Sequence, residues 1–284
     1  MHQKRLVTIQ DISCIGKCSL TAALPIISAF GIEAVPLPTA VLSTHTGANF
    51  TEYTFRDLTD DIEGIYAHWQ KLGARFDAIY SGYLASIHQL DIVGDFFKKF
   101  SRPDNLIFVD PVMGDEGRLY AGFNTEFAKK MRSLCAYADI ICPNVTEAAY
   151  LAGIDYCENH DTRYVESLAY ALKDIGAKNI IITGLSENGK VGSMCFDTQT
   201  EEKHIYLRDK IEGCYYGTGD IFASVLCSAI TYGFSLYDAL KIATDFVYES
   251  ILNTQDELGV YDYGVKFEQK LYMITDLLKQ KNSL

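Results

Sequence analysis

Gly217-Thr218-Gly219-Asp220 runs directly into the apolar stretch Ile221-Phe222-Ala223-Ser224-Val225-Leu226, so two glycines, a hydroxyl and a carboxylate stand where a helix is predicted to begin. The first amides of a helix have no partner within it, and its dipole is positive at that end, so an anion is well held there. A carboxylate at the mouth of such a cradle supplies what a kinase acting on an alcohol requires. The amides hold charge that develops on a phosphoryl group, and the carboxylate accepts the hydroxyl proton. The same four residues also read as a glycine turn with Asp220 as a helix N-cap.

Other groups sit at comparable positions. Asp110-Pro111-Val112-Met113-Gly114-Asp115-Glu116-Gly117 follows the apolar run Leu106–Val109. Carboxylates at the end of a strand suit a Mg²⁺ ion carrying phosphate oxygens, and the alternative is a solvated turn shaped by Gly114 and Gly117. In Pro143-Asn144-Val145-Thr146-Glu147, Asn144 reads as an N-cap and Glu147 as its capping-box partner, or as a group turned toward a metal through water. His45, between Thr44 and Thr46, is one of six histidines and reads as a structural, hydrogen-bonded side chain when taken alone. Tyr83 follows Ser81-Gly82, where a glycine lets a ligand approach the backbone, although with nineteen tyrosines in the chain it also fits an ordinary core.

These groups need strands and helices to bring them together. Strands are expected at Leu6–Gln10, Ala34–Leu37, Ala78–Gly82, Leu106–Asp110, Asp139–Cys142 and Asn179–Thr183. Helices are expected near 17–30, 59–72, 86–100, 123–135, 144–152 and 162–175. In the second helix Ile62, Ile65, Tyr66, Trp69 and Leu72 recur three and four apart, as a stripe facing a sheet does. Alternation of strand and helix with short, uniformly apolar strands implies a parallel sheet covered on both faces. After Thr183, Val191–Phe196 and His204–Leu207 read as a hairpin at a sheet edge, and helices near 219–232, 235–253 and 264–280 close the chain. Three of the six prolines, Pro36, Pro38 and Pro143, follow strand-like segments. No linker or repeat interrupts this pattern, so residues 1–284 are expected to form a single domain. Ligands in such sheets bind beyond the carboxyl ends of the strands, which is where the polar groups named above fall.

Composition narrows the function. Apolar residues make up 48% and charged residues 22%, and 25 Lys and Arg against 37 Asp and Glu give a net charge of −12. That surface argues against sequence-independent binding to nucleic acid or to an anionic membrane, because both need basic patches. The eight cysteines are scattered without the spacing of a zinc site. The N-terminal residues carry no signal-peptide pattern and no run is long enough to span a membrane, so a reducing cytoplasm is the expected location.

Taken together, the motifs resemble those of the pyridoxal (vitamin B6) kinases of the ribokinase superfamily, from about residue 6 to 255. Ile9-Gln10 with Gly16 resembles that family's first strand and glycine turn. Leu42-Ser43-Thr44-His45-Thr46-Gly47 is similar to its Ser-Asn-His-Thr loop, and Ser81-Gly82-Tyr83 to its Gly-Tyr strand end. Asp110–Asp115, Asn144 with Glu147, and Gly217–Asp220 complete the ordered set. The resemblance implies a three-layer α/β/α fold with a mainly parallel sheet, and ATP-dependent phosphorylation of the 5′-hydroxymethyl group of a B6 vitamer. It implies that Asp220 is the base and that the amides of Gly217, Thr218 and Gly219 hold the transferring phosphoryl. Asp110 and Glu147 would organise Mg²⁺, while Asp115, Tyr120, Asn144 and Thr183 line the ATP side. Asp11, His45, Thr46 and Tyr83 would line the substrate ring. A homodimer is the assembly implied, and a monovalent cation such as K⁺ is left open as a further cofactor.

Two positions depart from the family: Asp11 stands for its usual Ser, and Thr44 for its Asn. A carboxylate can only accept and carries charge, so Asp11 at the ring edge would tilt preference toward pyridoxamine, whereas an Asp11 that caps the turn near Gly16 would not touch substrate. Gly219 is expected to be needed for its backbone, through a positive φ or through close approach of the γ-phosphate. The competing readings are a hydroxymethylpyrimidine kinase of the same fold, whose members typically carry Cys in place of Asp220, and a non-catalytic B6-binding protein.

Overall fold

The computed structural model describes residues 3–47, 50–255 and 263–283. Its strands are β1 (Arg5–Ile15), β2 (Glu33–Thr44), β3 (Phe55–Asp57), β4 (Ala78–Ser81), β5 (Leu106–Val109), β6 (Gly114–Asp115), β7 (Arg118–Leu119), β8 (Ile140–Ile141), β9 (Asn179–Glu187), β10 (Lys190–Asp197) and β11 (Lys203–Asp209). Among the described residues, nine of them form one sheet in the order β11-β10-β9-β8-β5-β4-β1-β2-β3, and β6 and β7 pair separately. The pairings from β2 through β1, β4, β5 and β8 to β9 are parallel. Only the edges are antiparallel, with β3 on β2 and the β10–β11 hairpin on β9. The hairpin lies at the sheet edge, as expected for Val191–Phe196 and His204–Leu207.

Helices α1 (Ser19–Ala29), α7 (Thr218–Tyr232), α8 (Leu236–Thr254) and α9 (Leu271–Asn282) cover one face. Helices α2 (Thr59–Lys71), α3 (Ile87–Phe100), α4 (Thr125–Cys135), α5 (Val145–Ala152) and α6 (Thr162–Ala171) cover the other. The sheet therefore separates two hydrophobic cores, and the architecture is the expected α/β/α sandwich. Side chains alternate between the cores: Leu6 and Tyr80 belong to one, Val7, Ile9 and Ile79 to the other. In α2, Ile62 and Tyr66 are fully buried, but Leu72 is 67% exposed because it lies past the helix end, where the stripe has turned away from the sheet. Helix α7 is apolar on nearly every side and is buried from Ile221 to Ala229, which fixes its N-terminus firmly against the sheet.

Three expectations about the elements need correction. Pro36 and Pro38 lie inside β2 rather than after it. They pair with Thr8 and Gln10 of β1 on one side only, because β3 reaches no further than Ala40 on the other. Proline is tolerated there because its missing N–H faces an unpaired edge. The end of Asp110–Gly117, whose alternative reading was a solvated turn, joins the residues just beyond it in a small hairpin, Gly114–Asp115 of β6 on Arg118–Leu119 of β7. The last helix begins at Leu271 and not near 264. Among the described residues no helix is long and apolar enough to cross a membrane.

Candidate active site

Two adjoining cavities open beyond the carboxyl ends of the central strands. The first, about 470 Å³, is lined by Asp110, Asp115, Tyr120, Asn144, Glu147, Thr183 and the whole of Gly217–Asp220. The second, about 420 Å³, is lined by Asp11, His45, Thr46, Tyr83, Asp115, Tyr120, Gly217 and Asp220. Every residue given a role by the resemblance thus lies on one cavity or the other, whereas Gly16 and Thr44 line neither. Gly217 and Asp220 belong to the wall that both share.

The glycine turn differs in detail from its sequence reading. The N-cap of α7 is Gly217, at φ 77°, and no side chain caps the helix. Asp220 is its third residue, and instead of capping α7 it accepts a hydrogen bond from the Ser19 amide at the start of α1. Two helix N-termini therefore converge on one carboxylate. Burial pushes the Asp220 pKa up to about 6, with the nearby Asp11 charge adding and the Ser19 amide opposing. The residue is half-buried and lines both cavities. The positive φ expected at Gly219 belongs to Gly217. A Cβ on Gly217 would stand 2.0 Å from the Lys17 carbonyl oxygen, whereas one on Gly219 would meet nothing within 4 Å.

On the second cavity, Asp11 is 4% exposed and accepts from the Ser13 hydroxyl at 2.9 Å and from the Ser19 hydroxyl. It lines the cavity and does not cap the Gly16 turn. Ser19 holds a left-handed φ of 47°, uncommon for a residue with a side chain, and so presents its amide to Asp220 and its hydroxyl to Asp11. His45 Nδ1 accepts from the Gly47 amide at 3.1 Å, and its ring packs on Phe50 and Tyr216 with centroids 4.9 and 5.4 Å away. Thr46 is exposed at the rim. The Tyr83 phenol is pushed up to about 12, by burial first and by the Asp11 charge next.

On the first cavity, Asn144 and Glu147 form a complete capping box at the start of α5. The Glu147 carboxylate accepts from the amides of Met113 at 3.0 Å and Asn144 at 2.9 Å. Asn144 also donates to the Gly114 carbonyl at 2.8 Å, and Thr146 accepts from the Gly117 amide, so α5 pins the segment that follows Asp110. Asp110 and Glu147 are both buried, and desolvation raises both pKa values, with mutual repulsion adding to Asp110. Thr183 meets Asn144 across an isolated parallel bridge.

Ser13, Ser19, Tyr216 and Arg208 were not read as site residues. Ser13 lies two residues from Asp11 on one strand, a spacing that puts both on one face, and Tyr216 directly precedes the glycine turn; both signals were available. The Arg208 guanidinium, on the first cavity, pairs with Asp245 and stacks 4.1 Å over the Tyr248 ring, an arrangement between β11 and α8 that no local pattern announces.

The sequence pattern of the phosphomethylpyrimidine kinase family matches residues 19–265. A putative phosphomethylpyrimidine kinase from Bacteroides thetaiotaomicron is 38% identical, with a TM-score of 0.92 over 96% of this chain and 94% of that one. A second crystal form of that protein contains pyridoxal. The pyridoxal kinase of Lactobacillus plantarum is 30% identical, with a TM-score of 0.90 over 98% of this chain and 99% of that one. A pyridoxal kinase of Dictyostelium discoideum is 28% identical over 242 residues, covering 79% of this chain and 77% of its own. The match to the family pattern and the likeness along the whole fold make the chain a member of the phosphomethylpyrimidine kinase family, within the ribokinase superfamily.

Proposed function

We propose that the protein transfers the γ-phosphoryl group of ATP to the 5′-hydroxymethyl group of a B6 vitamer, giving the 5′-phosphate. The observation that carries this reading is the shared wall, where Gly217 and Asp220 line both cavities while Thr218 and Gly219 line the larger one. An alcohol in the smaller cavity and a nucleotide in the larger one bring hydroxyl and γ-phosphate to opposite sides of Asp220. Asp220 removes the hydroxyl proton as the oxygen attacks, and the amides of Gly217, Thr218 and Gly219 hold the charge of the transferring group.

The donor set also fits Mg²⁺. Among the described residues no group of three or more His, Cys, Asp or Glu side chains is gathered to hold a metal unaided. Mg²⁺ asks for less: it commonly takes one or two carboxylates and completes its shell with water and substrate phosphates. Asp110 and Glu147 repel each other in a buried site of oxygen donors, and a divalent cation offsets that repulsion. Asp110 would bind it directly. Glu147, both of whose oxygens already accept backbone amides, would bind it through water. Bound there, Mg²⁺ would neutralise the phosphates. A homodimer in the cytoplasm goes with this reading through its likeness to the B6 kinases.

The second reading, phosphorylation of a hydroxymethylpyrimidine, draws on the name of the matching family. Incubation with MgATP and each of pyridoxal, pyridoxine, pyridoxamine and hydroxymethylpyrimidine, followed by ADP release, tests both. ADP is expected with the B6 alcohols. Release with the pyrimidine alone would favour the second reading, and release with none would leave a binding protein.

A further inference from the structure

We infer that Asp11 makes the smaller cavity selective for an alcohol whose ring carries a positive charge at its edge, as a ring N–H⁺ or a protonated aminomethyl group. The inference rests on the reading of that cavity as the alcohol site. Asp11 sits where the register of β1 on β2 slips: Gln10 faces Pro38 and Ile12 faces Val41, so Thr39 and Ala40 together oppose Asp11. The extra residue belongs to β2, so Asp11 keeps its place on the same face of β1 as Ser13, and its carboxylate lies on the cavity wall. It is buried at 4% exposure, yet its hydrogen bonds come from neutral donors, the hydroxyls of Ser13 and Ser19 and its own backbone amide.

A buried carboxylate is costly unless a cation pairs with it, and neutral donors offset only part of that cost. Among the described residues no lysine or arginine forms an ion pair with Asp11. His45 is the cationic-capable side chain near it, and its Nδ1 accepts from Gly47. Asp220 on the same wall adds a second negative charge. Tyr83 and Tyr216 give the cavity aromatic sides suited to a flat ring, which a cation on that ring would also favour. The chemistry completed by this wall is a flat, cationic heteroaromatic alcohol. A 3-hydroxypyridine holds a ring proton readily because its phenolate balances the pyridinium. A neutral aminopyrimidine gains less.

The test compares wild type with Asp11→Asn and Asp11→Ser, using kcat/KM for pyridoxine, pyridoxamine and hydroxymethylpyrimidine, and Kd for the same three without ATP. A charge-assisted hydrogen bond is stronger than a neutral one by enough to move such ratios about tenfold to a hundredfold. Both variants are expected to lower the preference for pyridoxamine over pyridoxine, or for pyridoxine over hydroxymethylpyrimidine, by about tenfold or more, with KM for MgATP unchanged. A purely structural Asp11 would weaken all three alcohols alike, and constant ratios in both assays would overturn the inference. If the wild type binds the alcohols but phosphorylates none, the kinase reading fails while the Kd ratios still decide the role of Asp11. Thermal melting of both variants, expected at or above the wild-type Tm because a buried charge is gone, separates selectivity from misfolding.

Discussion

Asp220→Asn is expected to lower kcat by about 10²–10⁴-fold and, at neutral pH, to melt at a higher temperature than the wild type. The first effect is the loss of a positioned base. The second follows from the environment that makes it one. Burial and the Asp11 charge hold the Asp220 pKa at about 6 in the folded protein, above the ordinary 3.8. Between those values the folded chain keeps a proton that the unfolded chain releases. The contribution to stability is therefore full below about pH 4 and is lost as pH rises through about 6. At 1.36 kcal/mol per pKa unit, the neutral-pH cost is up to about 3 kcal/mol, and less to the extent that the cavity lets water reach the carboxyl. Asparagine keeps the shape and removes the titration, so the gap in stability should open between about pH 4 and 7 and vanish below. Activity runs the other way with pH: wild-type kcat/KM should fall below about pH 6 as Asp220 takes up a proton, and the variant should lack that limb. Urea titrations across pH, with pH–rate profiles, check both halves. A variant that keeps near-full turnover with chemistry rate-limiting would remove Asp220 from the mechanism.

The second large effect separates two glycines that look equivalent on paper. Gly217→Ala meets two obstacles at once, a left-handed φ of 77° and a carbonyl oxygen 2.0 Å from the new methyl. The conformation alone costs about 1–2 kcal/mol. The clash must also move either the Lys17 segment or the start of α7, and with it the amides that hold the phosphoryl. Loss of one good donor to a developing charge costs about 2.7–4 kcal/mol, so kcat should fall about 10²–10³-fold together with a lower Tm. Gly219→Ala faces open space on the larger cavity and has no positive φ. Its Tm should stay near that of the wild type, while a larger side chain, as in Gly219→Val, lowers kcat by crowding the phosphate. Comparison of Tm and kcat across the three variants is decisive. An intact Tm and full activity in Gly217→Ala would show that this backbone is not what shapes the cradle.

Much of this site was legible because parallel α/β topology sends the polar residue after each central strand to the same rim. Asp110 and Asn144 follow that rule, Thr183 reaches the rim within β9, and strand ends can be found from apolar runs alone; Asp220 arrives differently, on α7 after the antiparallel edge. What escaped depends on geometry that crosses the chain. The positive φ was expected at Gly219 and lies at Gly217 instead, because the group that crowds the turn is the carbonyl of Lys17, two hundred residues away. Ser19 announces nothing locally; its importance comes from two carboxylates delivered by β1 and α7. The capping box of Asn144 and Glu147 was readable, since its pattern lies within four residues. Strand β3 was missed because three exposed residues, Phe55–Asp57, carry no periodicity to detect. The strands β1 and β2 run past the apolar segments that foretold them, since their far ends pair with each other while their side chains line the cavity.

Lys17 joins distant parts of the chain. Its amide donates to the Tyr263 carbonyl at 2.9 Å, its ammonium pairs with Glu268 at 2.9 Å, and its own carbonyl abuts Gly217. Contacts of such sequence separation close late in folding, because long loops must be ordered before they are rewarded. During synthesis, a nascent chain that ends just after α8 already carries every side chain named in the catalytic scheme. It still lacks the segment on which Lys17 rests, so catalytic competence should arrive only once Tyr263 and Glu268 have been added, well after the sheet itself has formed.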